Sequence, residues 1–215
     1  MSFEVDHVFV AASEGAPEAT DLVKAGFVEG PANVHPGQGT ACRRFFFENA
    51  YLELVWLENR AEASSRVAAR TGLRERAAVE SESSHVGVCL RARDLAARLP
   101  VKTWSYSPPY VPEGMAIPIG ANSSRLDEPL LFFLPVGVEP RKSEEVHPNG
   151  ARRISRVRLT LPSSLDVSPE LAWLTDSGIV EVEPAETESV SVVLDGGTAG
   201  DSVALDLAVP LKLSW

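Results

Sequence analysis

The chain has 215 residues, enough for one large domain or two small ones, and its 44% apolar content is ample for a core. Twenty Lys and Arg against thirty Asp and Glu leave a net charge of −10, with no basic run. That balance argues against nucleic acid and anionic membrane as partners. No apolar stretch approaches the roughly 18 residues a spanning helix needs. The opening Met-Ser-Phe-Glu-Val-Asp-His lacks the basic and apolar regions of a signal peptide, so a cytoplasmic protein is expected. Cys42 and Cys89 lack metal-ligand spacing and read as reduced thiols.

In chain order, Phe3 to Ala11 reads as a strand. Ala16 to Ala25 reads as a helix, with Pro17 in its first turn and Gly26 as its cap. Phe27 to His35 is a short strand or loop, and Pro36-Gly37-Gln38-Gly39 a turn. Thr40 to Leu57 then reads as a β-hairpin. With Asn49 and Ala50 as its turn, Glu48 faces Tyr51, Phe46 faces Glu53 and Arg44 faces Val55. Alternation gives one face Arg43, Phe45, Phe47, Leu52, Leu54 and Trp56. The other face carries Cys42, Arg44, Phe46, Tyr51, Glu53 and Val55. A carboxylate in the middle of that face must be paired, hydrated or bound to a metal, because burying it bare is costly. Arg44, diagonal to Glu53, is one such partner.

Ala61 to Val79 has Arg/Glu pairs at helical spacing and reads as a solvated linking helix. His85 to Ala92 is a strand, Arg93 to Leu99 a short helix, and three strand-like pieces follow at 104–106, 116–120 and 130–134. Val138 to Gly150, with two prolines, is the linker, and His147 within it reads as a surface residue. Ile154 to Leu161 is a strand. Ser168-Pro169-Glu170 starts a helix that stops at Gly178. Strands at 179–183, 189–194 and 202–209 close the chain, with a turn at Asp195-Gly196-Gly197. One β-α-β-β-β pattern thus recurs three times. The expected divisions are a first module at 1–60, a linking helix at 61–81, a second module at 82–137, a linker at 138–150 and a third, C-terminal β-α-β-β-β-like module at 151–215.

Asp6-His7-Val8-Phe9-Val10, His35-Pro36-Gly37-Gln38-Gly39-Thr40 and Arg44-Phe45-Phe46-Phe47 leading into Tyr51-Leu52-Glu53-Leu54 resemble the glyoxalase-like domain family. That family lies within the vicinal oxygen chelate superfamily, with glyoxalase, bleomycin-resistance and extradiol dioxygenase proteins. The likeness is concentrated in residues 1–58, with support at 104–110 and 128–133. It implies an α+β fold in which repeated β-α-β-β-β modules form cup-shaped mixed sheets. It also implies a divalent metal (Zn, Fe, Mn or Ni), with His7 and Glu53 as ligands and His85 as a third. Modules pair within a chain or between chains in such proteins, which allows a homodimer.

Two functions from different classes follow. The first is an enzyme acting on a small oxygenated metabolite, with lyase, isomerase or dioxygenase-type chemistry. Glu53 is then a ligand or general base, His7 a ligand, and Gln38 and Thr40 substrate donors. The second is a metal-free binding or sequestering protein, in which Arg44 pairs with Glu53 and His7 is an ordinary histidine. His35, Gln38 and Thr40 either contact substrate, as Arg44 does in the first reading, or stabilise their own turn. Trp104 and Tyr106 either wall a pocket or pack in the core. Cys42 has no histidine placed to activate it, so a catalytic thiol is not expected.

Overall fold

Strand β1 (Phe3–Ala11) spans the expected residues and becomes the middle of an eight-stranded sheet. The computed structural model describes residues 2–138 and 146–215. To one side of β1 lie β4 (Tyr51–Leu57), β3 (Thr40–Phe46) and β2 (Asn33–His35). To the other lie β5 (Val86–Ala92), β8 (Leu130–Phe133), β7 (Ile117–Gly120) and β6 (Thr103–Tyr106). β1 runs parallel to β4, and β5 runs parallel to β8. β1 and β5 meet antiparallel at the seam. Each half therefore has its first strand beside its last, and the first two modules together make the cup.

Strand alternation divides the sheet. Val8, Val10, Phe45, Leu52, Leu54 and Val88 enter one large apolar core. Phe9, Cys42, Val55, Tyr106, Ile119 and Leu130 form a separate cluster on the cup side. A second sheet covers the core face. It contains β9 (Ile154–Pro162), β10 (Glu181–Ala185), β11 (Ser189–Leu194), β12 (Ser202–Leu205) and β13 (Leu211–Ser214). Its Val157, Leu159, Val190, Val192, Leu211 and Leu213 join the same core. Aromatic edges close the joint: Phe3 meets Trp173 at 6.3 Å and Phe27 meets Trp215 at 5.0 Å.

Helix α1 (Ala19–Lys24) begins three residues later than expected, because Ala16 takes a positive φ of 44° and belongs to the preceding turn. The hairpin keeps its two predicted faces but shifts register by two. Phe47 N donates to Ala50 O at 2.8 Å, so Glu48 and Asn49 make the turn. Arg44 therefore lies directly opposite Glu53, and Phe46 opposite Tyr51.

The segment read as one solvated helix is α2 (Arg60–Ala63), a 3-10 turn at Ala69–Thr71 and α3 (Leu73–Arg76). Gly72 at φ 69° breaks it, and Thr71 and Arg76 are fully buried. Residues 93–99 form no helix. Asp94 accepts from Ala96 N at 2.9 Å and makes a turn instead.

Of the linker, residues 139–145 lie outside the described residues. His147 is not a surface residue: it is 3% exposed and accepts from Val28 N at 2.9 Å. Its other nitrogen donates to Phe46 O at 3.0 Å, tying the linker to β3 and to the segment after α1.

α4 (Pro169–Ser177) is capped as the sequence indicates, with Ser168 Oγ accepting from Leu171 N and Gly178 left-handed. The C-terminal unit does not repeat the module topology. Its order is β10-β9-β11-β13-β12, with β10 directly parallel to β9 after α4. The expected strand at 202–209 ends at Leu205, and Pro210 precedes β13, giving five strands. Among the described residues no helix is long and apolar enough to cross a membrane.

Candidate active site

The cup encloses a cavity of about 260 Å³. Its polar wall comes from the first module and its apolar wall from the second. His7, Glu53, Arg44, His35 and Gln38 line one side; Met115, Ile117, Ile119, Leu130 and Phe132 line the other.

His7 owes its orientation to a break in β1. The register with β5 slips between Val5 and His7, so Asp6 is an extra residue. Strict alternation sends adjacent side chains to opposite faces; the bulge lets Asp6 Oδ1 reach His7 Nδ1 at 2.7 Å. Arg91 Nη1 holds the other Asp6 oxygen at 3.3 Å. Burial pushes the Asp6 carboxyl up, but the His7 and Arg91 contacts outweigh it and the net shift is downward. Asp6 is therefore an acceptor and His7 Nδ1–H the donor. The ring stacks on Tyr51 at 4.4 Å and meets the edge of Phe132 at 5.3 Å, and no hydrogen bond engages Nε2 among the described residues.

Glu53 is 7% exposed on β4. Its Oε1 accepts from Cys42 Sγ at 3.5 Å, and its Oε2 has no protein partner among the described residues. Arg44 does not close an ion pair with it. The Arg44 Nε donates to Pro31 O at 2.9 Å, and the guanidinium lies 5.1 Å from the Phe46 ring. Cys42 is buried beside Glu53, and both burial and that carboxylate push its thiol well up. Cys89, opposite His7 on β5, is also pushed up by burial. Neither thiol is a nucleophile in this setting.

The Gly-rich turn is held by its own side chains. Thr40 Oγ1 accepts from Gln38 Nε2 at 2.7 Å and lies 2.9 Å from His35 Nδ1. Asn33 Nδ2 donates to His35 Nε2 at 2.9 Å, and Tyr110 OH donates to Gln38 Oε1 at 2.6 Å. His35 and Gln38 line the cavity, whereas Thr40 is fully buried and does not. Gly39 is required here: φ is 77°, and a Cβ would stand 2.3 Å from Asn59 O.

From the second module, Tyr106 lines the cavity, and its buried hydroxyl has no partner among the described residues. Trp104 lies outside it, with Nε1 donating to Ser123 Oγ at 3.0 Å and Arg70 over its ring. His85 is also outside: its nitrogens meet Arg76 O at 2.7 Å and Ser81 O at 3.2 Å, and β5 begins just after it. The ligand set His7, Glu53 and His85 is therefore not assembled.

Two other groups bring three donor atoms within 4.8 Å of one another: Asp6, His7 and Cys89, and His35, Cys42 and Glu53. In both, most donors already serve internal hydrogen bonds. The atoms left over are His7 Nε2 and Glu53 Oε2. Imidazole and carboxylate are both ligand types for a divalent metal, but from the other half β8 contributes only apolar Leu130, Phe132 and Phe133.

Asp6, Cys89 and Met115 were not readable as site residues. Asp6 needed the bulge, while Cys89 and Met115 required the tertiary fold.

Two paired modules around one cavity define the vicinal oxygen chelate fold. The chain belongs to the glyoxalase-like domain family, whose model matches residues 5–175. A hypothetical protein from Staphylococcus aureus is similar along its whole length, at 10% identity and a TM-score of 0.55, covering 100% of this chain and 99% of the other. A methylmalonyl-CoA epimerase in complex with methylmalonyl-CoA and NH4+ has 14% identity and a TM-score of 0.42. The alignment covers 66% of this chain and 100% of that one. A xylose isomerase-like TIM barrel/4-hydroxyphenylpyruvate dioxygenase fusion has 15% identity and a TM-score of 0.43, covering 98% of this chain and 32% of that one. No curated protein gives a significant match.

Proposed function

We propose that the protein is an enzyme acting on a small oxygenated metabolite held in the cup, with Glu53 as the proton-transfer group. The observation that carries this reading is that Glu53 and His7 line one cavity, with no hydrogen bond to Glu53 Oε2 or His7 Nε2 among the described residues. Glu53 takes a proton from the carbon beside a carbonyl or hydroxyl of the substrate. Cys42, donating to Oε1, leaves Oε2 for that step. His7, fixed by Asp6 and Arg91, presents Nε2 to the ligand. A divalent metal, were one held by His7 and Glu53, would supply Lewis-acid stabilisation of an oxyanion, with Glu53 then a ligand in place of the base.

The runner-up is a metal-free binding protein of the same fold. The apolar side chains of Leu130 and Phe132, where a second pair of ligands would sit, favour it. Elemental analysis of purified protein separates the two for the metal. At least about 0.5 equivalent of one transition metal, lost in His7→Gln, supports a metal enzyme. Less than about 0.1 equivalent, with no thermal stabilisation by added metal, removes the metal. Solvent-deuterium exchange into a panel of 2-oxo and 2-hydroxy acids tests the proton transfer. Exchange that disappears in Glu53→Gln supports it, and no exchange with any compound leaves binding as the function.

A further inference from the structure

Resting on the reading of the cup as a ligand site, we infer that the ligand is a small carboxylic acid with an apolar body, its carboxylate seated on Arg44 and a second oxygen on Tyr106. Three observations lead there. Arg44 is 3% exposed and lines the cavity, so what solvent it meets is the cavity's. A guanidinium offers five N–H donors. Only Nε–H is used, on Pro31 O, and among the described residues Nη1 and Nη2 meet no acceptor. The facing carboxylate of Glu53 makes no ion pair with it. A buried cation with its fork unfilled is costly until an anion arrives, and a planar fork matches a carboxylate with two parallel hydrogen bonds.

The second observation is independent. Tyr106 is 2% exposed, lines the same cavity, and its hydroxyl has no hydrogen-bond partner among the described residues. Burial pushes that phenol up, so it remains a protonated donor. An orphaned buried hydroxyl asks for a ligand oxygen.

The third is the wall between them. Ile117, Ile119, Leu130 and Phe132 offer no polar side-chain atom. A volume of about 260 Å³ suits a small molecule. The ligand therefore carries its charge at one end and apolar bulk along its length.

The test is a matched series on the intact protein: acetate, pyruvate, benzoate and phenylpyruvate, each against its neutral amide, by calorimetry or protein-observed NMR. The expected result is that at least one acid binds about tenfold or more tighter than its amide, the worth of a charge-assisted pair. Arg44→Met is expected to erase that preference, and Arg44→Lys to keep part of it, since the charge remains without the fork. Tyr106→Phe is expected to weaken acid and amide alike, roughly fivefold for a neutral hydrogen bond. Acids and amides bound equally, or a preference that survives in a folded Arg44→Met, overturns the assignment and leaves the ligand cup intact. Absence of binding by every acid and amide overturns the assignment and the cup reading together. The wild-type series decides the question even where Arg44→Met does not fold.

Discussion

Arg44 and Glu53 stand directly opposite each other on neighbouring strands, both buried, yet they do not form an ion pair. Each turns to a different partner, Arg44 to Pro31 O and Glu53 to Cys42. Glu53→Gln should therefore leave the fold nearly as stable as the wild type, within about 1 kcal/mol, since a glutamine oxygen still accepts from Cys42. Breaking a true buried pair costs about 3–5 kcal/mol. Urea denaturation of both forms distinguishes the cases, and a loss in the larger range would show that the two charges are coupled after all.

Asp6 links Arg91 to His7, so Asp6→Asn removes a charge from both contacts. A loss of about 2–3 kcal/mol is expected by denaturation. The sign of its pH dependence follows from the lowered carboxyl. Folded Asp6 titrates below the ordinary 3.8, so its contribution is complete above that value and is lost as pH falls through 3.8 toward the lower folded value. The variant should show a shallower acid limb over that range, and an unchanged limb would count against the linkage.

Glu188 behaves in the opposite sense. It is partly buried, accepts from Ser84 Oγ at 2.6 Å, and burial raises its carboxyl above the ordinary 4.5. A raised acid favours the protonated form in the fold, so stability declines as pH rises from 4.5 through the higher folded value. Glu188→Gln keeps the acceptor and removes the charge. It should gain up to about 1 kcal/mol at pH 7 and nothing at pH 4, read from denaturation at the two pH values.

Both cysteines are free and buried, and their thiols are held well above the ordinary range. Maleimide should label neither within minutes in the native protein and both after unfolding in urea. Rapid native labelling of either one would mean that the cup opens to reagents.

The elements that depend on short-range signals were legible. β1 was placed by its apolar run, α4 by Ser168-Pro169 and Gly178, and the two hairpin faces by alternation. The faces survived a wrong turn because a shift of two residues returns every side chain to its own side. What alternation cannot express was missed. Asp6 reaches His7 only because one residue is looped out of β1. His147 lies 119 residues from Val28 in sequence, and nothing local marks it as the acceptor for that backbone N–H. The helix expected at 61–79 had the right composition but not the burial: Arg76 is enclosed by Ser84 O, Arg125 O and Glu128 O. At the site, Glu53 and His7 were singled out by residue type and resemblance. His85, equally plausible by type, was spent on two backbone carbonyls.

The seam between β1 and β5 makes the cup from two halves of like strand order but unlike content. The charged groups sit in one half, while the other supplies aliphatic and aromatic surface with the hydroxyls of Tyr106 and Tyr110. Charge and shape are thus largely separated between the halves. Selection can recut the mould at Ile117, Ile119 or Phe132 and so admit a different guest, without disturbing the side chains that would do chemistry on it. A chain built this way can diversify its choice of molecule one volume change at a time.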